Sequence, residues 1–200
     1  MIWPFSRPRP HAATIDAIYG MIVAQARLPV FYTAYDVPDT VNGRFDMLVL
    51  HLWLVLRRLR AESRTELAQA LFDHFSSDLD ANLREMGVGD LAVPRRMRRF
   101  GEAFYGRAQA YDAAVAASDP QALTQALVQA LARNILRRAD PAAALPLAAY
   151  VRRAIADLAR MADGAIGTAN WAFPAPDPVM DGVPPTPAVE ASNPVHRPIP

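Results

Sequence analysis

Histidine comes first among residues able to do chemistry, because the 200-residue chain holds four His and no Cys. Disulfide staples, thiolate nucleophiles and Cys-ligated zinc or iron–sulfur sites are therefore excluded. His11 and His196 lie near the ends, which leaves His51 and His74 in the body. His74 and Asp78 are spaced to share one helix face, but two ligands fall short of the set a metal requires, and a solvated face is the expectation. His51 sits inside LVLHLWLV. That setting suits a core histidine whose ring nitrogens find a carboxylate or a backbone carbonyl, with a haem or partner contact as the alternative.

The acidic residues Asp73, Asp78, Asp80 and Glu85 belong to one helical stretch. Acid–base work by paired carboxylates needs a pocket and displaced pKa values, and nothing in the pattern points to either. Arg95, Arg96, Arg98 and Arg99 flank Met97, and such a cluster suits phosphate, on a ribosome or on lipid headgroups. At a helix N-terminus these cations oppose the macrodipole, a cost that an anionic partner would offset. Arg57, Arg58 and Arg60 form a weaker group. Neither group matches a sequence-specific nucleic-acid motif, and no Gly-rich phosphate loop or nucleophile–base arrangement is present. The chain is expected to be no enzyme, with no cofactor and no metal.

These residues are carried by an all-α pattern of five or six helices around a central apolar one. Phe45 to Leu56 is apolar almost all the way round, broken only by Asp46 and His51. An apolar run of about 10–14 residues is too short to span a bilayer and forms a buried core helix. Asp39-Thr40 offers its cap, and Gly43 lies in its first turn, where close backbone approach is needed. Before it, Thr14 is the expected cap of a first helix, followed by an aromatic connection with Phe31, Tyr32 and Tyr35. After it, Ser63 or Thr65 opens a third helix with Leu67, Leu71, Phe75, Leu79 and Leu83 on one face. Gly87 ends that helix, MGVGD turns, and Pro94 starts the next. Gly101 and Gly106 in this fourth helix are expected to serve close packing. Asp119-Pro120 and Asp140-Pro141 cap and restart the last two helices.

The domain boundaries expected from composition are an irregular arm over 1–13, a helical domain over 14–167 and a disordered Pro-rich tail over 168–200. Nine of the 18 prolines lie beyond Trp171, although Trp171 and Phe173 are placed to dock the start of the tail on the core. A formal net charge of +1 supplies no global field, so electrostatic roles must be local. With no secretory signal and no run of membrane-spanning length, a cytoplasmic location is expected.

Three strings, VPDTVNGRFDMLVLHLWLVLRRL, LREMGVGD with the VPRR that follows it, and AFYGR, resemble the ubiquinol–cytochrome c chaperone family over roughly residues 12–160. The motif positions are Val37, Pro38, Asp39, Thr40, Gly43, Arg44, Asp46, His51, Gly87, Gly89, Asp90, Pro94 and Gly106. The resemblance implies a handling role: binding newly made cytochrome b during assembly of respiratory complex III, with a small partner protein and near the ribosome. The chain looks like a bacterial member. An apolar groove for such a client would draw on Phe31, Tyr32, Tyr35, Phe104 and Tyr105, although for each taken singly ordinary core is the favoured reading. Arg95, Arg96, Arg98 and Arg99 would meet ribosome or membrane. Two rivals are a peripheral membrane binder anchored by Trp3 and Phe5 beside Arg7 and Arg9, and a haem binder built on His51.

Overall fold

The computed structural model describes residues 12–177. The expectations for Trp3, Phe5, Arg7, Arg9 and His11, for His196, and for the tail beyond 177 lie outside the described residues.

The fold is all-α, and no strand occurs among the described residues. Six long helices are joined by a single-turn one: α1 Ala12–Ala26, α2 Val30–Thr33, α3 Val41–Ala61, α4 Thr65–Glu85, α5 Val93–Val115, α6 Pro120–Leu131 and α7 Leu145–Arg160. A π-helical turn, Ala132–Leu136, continues α6, and 3-10 turns at Pro141–Ala144 and Ile166–Thr168 flank α7. The polypeptide then runs without helix from 171 to 177.

α3 is the centre, as its apolar circumference requires. It touches α1, α4, α5, α7 and the π-helical turn. Met47, Leu50, Leu52, Trp53, Val55 and Leu59 on it have no solvent exposure. Its start is fixed by Thr40, whose Oγ1 accepts from Gly43 N at 3.1 Å. At its far end Arg58 donates to the Met161 carbonyl and to Asp163, each at 2.9 Å. Glu62 accepts from Gly164 N at 3.1 Å. The start of the central helix is thereby fixed locally, and its far end is tied to the segment after α7.

The capping residues act largely as their types dictate. Asp119 accepts from Ala122 N at 2.6 Å and Asp140 from Ala142 N at 2.9 Å, each just ahead of a proline. Gly87 takes a left-handed φ of 77°, and Val88 N returns to the Leu83 carbonyl at 3.0 Å, closing α4 as a C-terminal glycine does. α4 opens at Thr65, one of the two residues expected there, without a side-chain cap. Two expectations are corrected. α1 begins at Ala12, ahead of Thr14. A Cβ on Gly101 or Gly106 would meet nothing within 4 Å, so neither glycine serves close packing inside the fold.

Candidate functional site

Asp46 and His51 are the two buried polar side chains of the core. Asp46, early in α3, receives Arg107 Nη2 from α5 at 2.6 Å and Arg137 Nη2 at 3.2 Å. Arg137 reaches it from the end of the π-helical turn, where its own φ of 54° reverses the chain. Burial pushes the Asp46 carboxyl upward, and the two guanidinium groups oppose that shift. The pairings tie α3 to α5 and to the end of the π-helical turn.

His51 Nδ1 lies 2.8 Å from the Met47 carbonyl and Nε2 lies 2.8 Å from Tyr150 Oη. A carbonyl only accepts, so Nδ1 carries the proton and Nε2 accepts from the phenol. Tyr150 Oη in turn accepts from Gln25 Nε2 at 3.0 Å. Burial lowers the His51 pKa to about 4 and raises that of Tyr150, so both are neutral near pH 7. Both imidazole nitrogens are engaged, which is the core histidine expected from LVLHLWLV and leaves neither for a haem iron.

The same polar line holds the segment 171–177. Gln25 also donates to the Pro174 carbonyl at 3.1 Å, and Tyr35 donates to the Asp177 carbonyl at 3.0 Å. Arg153 donates to the Ala175 carbonyl at 3.1 Å and pairs with the Asp177 carboxylate. Phe173 meets the His51 ring edge-on at 5.1 Å, and Trp171 meets Phe173 at 5.0 Å. With Met21, Gln25 and Leu28 these aromatics line a depression of about 230 Å³. The segment is thus a strap across α1 and α7. Replacing Trp171 and Phe173 together by Ala should lower stability by about 2–4 kcal/mol, since both are partly rather than fully buried. Urea unfolding checks this, and a change below about 0.5 kcal/mol would mean that the strap contributes no more than an ordinary surface position.

The aromatic groove residues divide. Phe31, Tyr35 and Phe104 are buried; they are core, and an accessible surface must be drawn without them. Tyr32 is partly exposed, donates to the Ala26 carbonyl at 2.7 Å and lies under the Arg44 guanidinium, 5.7 Å from the ring centre. With Arg27, Pro29, Asp39 and Arg44 it lines a depression of about 210 Å³. Asp39 and Arg44 pair at 2.7 Å, which holds the Asp39 carboxyl below its usual range. Tyr105 is 64% exposed and packs beside Phe72 on α4, with ring centres 5.8 Å apart.

The remaining motif positions are structural in several ways. Val37 is buried, and the Pro38 carbonyl stands where a Gly43 Cβ would point. Asp90 pairs with Arg84, and Pro94 lies in the first turn of α5. Gly89 and Gly106 face open space. Arg95, Arg96, Arg98 and Arg99 are all exposed. His74 and Asp78 are not joined: Asp78 accepts from Tyr19 Oη at 2.7 Å, while His74 Nδ1 is 3.5 Å from Asp16. No group of three metal-ligating side chains occurs among the described residues. Gln25, Arg107, Arg137 and Tyr150 hold the polar interior and were not singled out from sequence, because each is one polar residue on an otherwise unremarkable helical repeat.

Comparison with known proteins matches this architecture. A crystal structure of the Cbp3 homolog from Brucella abortus superposes with a TM-score of 0.72 and 40% identity, covering 82% of this chain and 90% of that one. The ubiquinol-cytochrome-c reductase complex assembly factor 1 of Xenopus laevis is 27% identical over 142 residues, 69% of this chain and 68% of that protein. The corresponding factor of Mus musculus is 28% identical over 140 residues, which span 46% of its length. The family described as ubiquinol-cytochrome C chaperone matches residues 33–173. The match starts later than residue 12 and runs past Gly164 into the strap, so the expectation that the resemblance stops before the tail is corrected. On this match, and with the fold in agreement, the chain belongs to the ubiquinol–cytochrome c chaperone family.

Proposed function

We propose that the protein is a non-enzymatic assembly factor that binds newly made cytochrome b and assists biogenesis of the ubiquinol–cytochrome c reductase complex. It acts at the cytoplasmic face of the inner membrane, close to the ribosome and with a small partner protein. The observation that carries this reading is the family match over residues 33–173. The geometry supports a handling role. Among the described residues the surface offers shallow depressions, and a client helix needs a face, not a cleft.

The face we assign to the client is the outer side of α4 and α5. There Tyr105 and Phe72 present aromatic surface, and Gly101 and Gly106 leave room beside it. An apolar helix can approach most closely over glycines, the device by which helices pack where small residues face each other. A second contact is available at Tyr32. No helix among the described residues is long and apolar enough to cross a membrane, so any membrane contact made by these residues is peripheral.

Photo-crosslinkers placed at Tyr32 and Tyr105 in living cells should capture cytochrome b, identified by mass spectrometry, with Tyr105 giving the larger yield. Capture at neither position, or only of proteins unrelated to the quinol oxidoreductase, would overturn the assignment. Phe31 and Phe104 are unsuitable sites because a probe there would break the core.

A further inference from the structure

The turn between α4 and α5 carries the most exposed large apolar side chain of the described residues, Leu91, and a second exposed one, Met86, alongside a dense positive cluster. Leu91 is 98% exposed and Met86 is 66% exposed. Leu91 is therefore as bare as in an unfolded chain, at the tip of a connection that Gly87 sends away from α4. Immediately behind it, residues 91–101 hold four arginines and no carboxylate. Arg98 approaches Glu102 at 3.6 Å, and Arg84 is paired with Asp80 and Asp90. Arg95, Arg96 and Arg99 have no acidic partner among the described residues. All four cluster arginines stand at the N-terminal end of α5, where the helix dipole already repels them.

We propose that this turn seats the protein on an anionic phospholipid surface, with Leu91 and Met86 entering the interface and Arg95, Arg96 and Arg99 meeting lipid phosphates. Each part of the turn fits that occupant. Juxtamembrane basic residues each strengthen attachment to an anionic leaflet about fivefold, and a fully inserted Leu strengthens it about tenfold or more. Neither is strong alone, and together they make the two-signal attachment that peripheral proteins need. Ribosomal RNA would use the arginines but would leave Leu91 and Met86 in water, so the apolar pair decides for the bilayer. This inference rests on the membrane-facing part of the proposed function and not on its client.

The test uses the full chain and vesicles without any client, so its failure is separate from failure of client binding. Flotation with phosphatidylcholine–phosphatidylglycerol vesicles should recover the protein, and recovery should fall as salt rises. Vesicles of phosphatidylcholine alone should recover little. Leu91→Asp with Met86→Asp should weaken binding about tenfold or more, the fold-change expected from losing an inserted Leu. Arg95→Glu with Arg99→Glu should weaken it at least as much. All four positions are exposed, and thermal unfolding should be unaltered. Leu91→Trp should bind with its added emission shifted to the blue. Absence of binding to the anionic vesicles, or binding that the Leu91 and Met86 changes leave intact, would overturn the proposal. Loss of ribosome co-sedimentation by the Arg variants, without any vesicle binding by the parent, would do the same and assign the cluster to RNA.

Discussion

Gly43→Ala should destabilise the protein by about 3 kcal/mol or more, at the upper end of what overpacking a well-filled site costs. A Cβ at this position would lie 1.9 Å from the Pro38 carbonyl oxygen and 3.0 Å from its carbon. These are backbone atoms, so no rotamer change relieves the clash. Nor is that carbonyl free to retreat, because it accepts from Thr40 N at 2.8 Å, while Val37 N is held by the Phe31 carbonyl at 3.1 Å. Asp36, two residues earlier, already sits at a φ of 58°. Moving Pro38 therefore strains the turn that supplies the Thr40 cap and seats buried Val37. Gly106→Ala is the control, a helical glycine with open space around it, and it should stabilise by up to about 1 kcal/mol. Urea midpoints of the two variants should move in opposite directions. A Gly43→Ala protein within about 0.5 kcal/mol of the parent would mean that the entry to α3 is not held as closely as it stands here.

Acidification from pH 6.5 to about 4 should remove on the order of 3 kcal/mol of stability through His51 alone. The ordinary imidazole pKa is near 6.5 and the buried one is about 4. Over that interval the unfolded chain binds a proton that the folded protein refuses, so stability falls as pH falls, by up to about 1.4 kcal/mol per pH unit. Above pH 6.5 both states hold a neutral ring and the contribution is flat. Carboxylates also titrate toward the lower end of this window, so the useful quantity is the difference between the parent and His51→Gln. That difference should shrink in favour of the variant as pH is lowered through the window. Parallel pH profiles would show that His51 does not stay neutral between Met47 and Tyr150.

How much of this was legible beforehand depends on the range of the interaction. The α3 pattern, Thr40, Gly87, Pro94, Asp119 and Asp140 act within a few residues of themselves, and their types alone indicated their places. His51 was legible as a core histidine, but its partner Tyr150 lies 99 residues away and no local spacing points to it. Asp46 shows the same limit, since Arg107 and Arg137 are brought to it by the packing of α5 and by a π-helical turn that no periodicity announces. Phe31 and Phe104 were legible singly as core, but which aromatics of their group stay accessible was not, because burial depends on which face a neighbouring helix covers. The start of the strap was legible in Trp171 and Phe173, which dock on the core as expected. The rest was hidden by its prolines: residues 174–177 have no helical or strand period, and hydrogen bonds to Gln25, Tyr35 and Arg153 give them a place.

The central position of α3 has a further consequence for the order in which the protein is made. The helix is complete once Ala61 has been added, yet α7 ends only at Arg160 and the strap at 177. At about 5–20 residues per second the ribosome needs on the order of ten seconds to deliver the last of that cover. During this interval a helix that is greasy on every side has α1, and then α4 and α5, to lean on, while the side destined for α7 stays bare. The nascent chain thus passes through the same predicament as the apolar client proposed for it, and it escapes only when its own C-terminal third arrives.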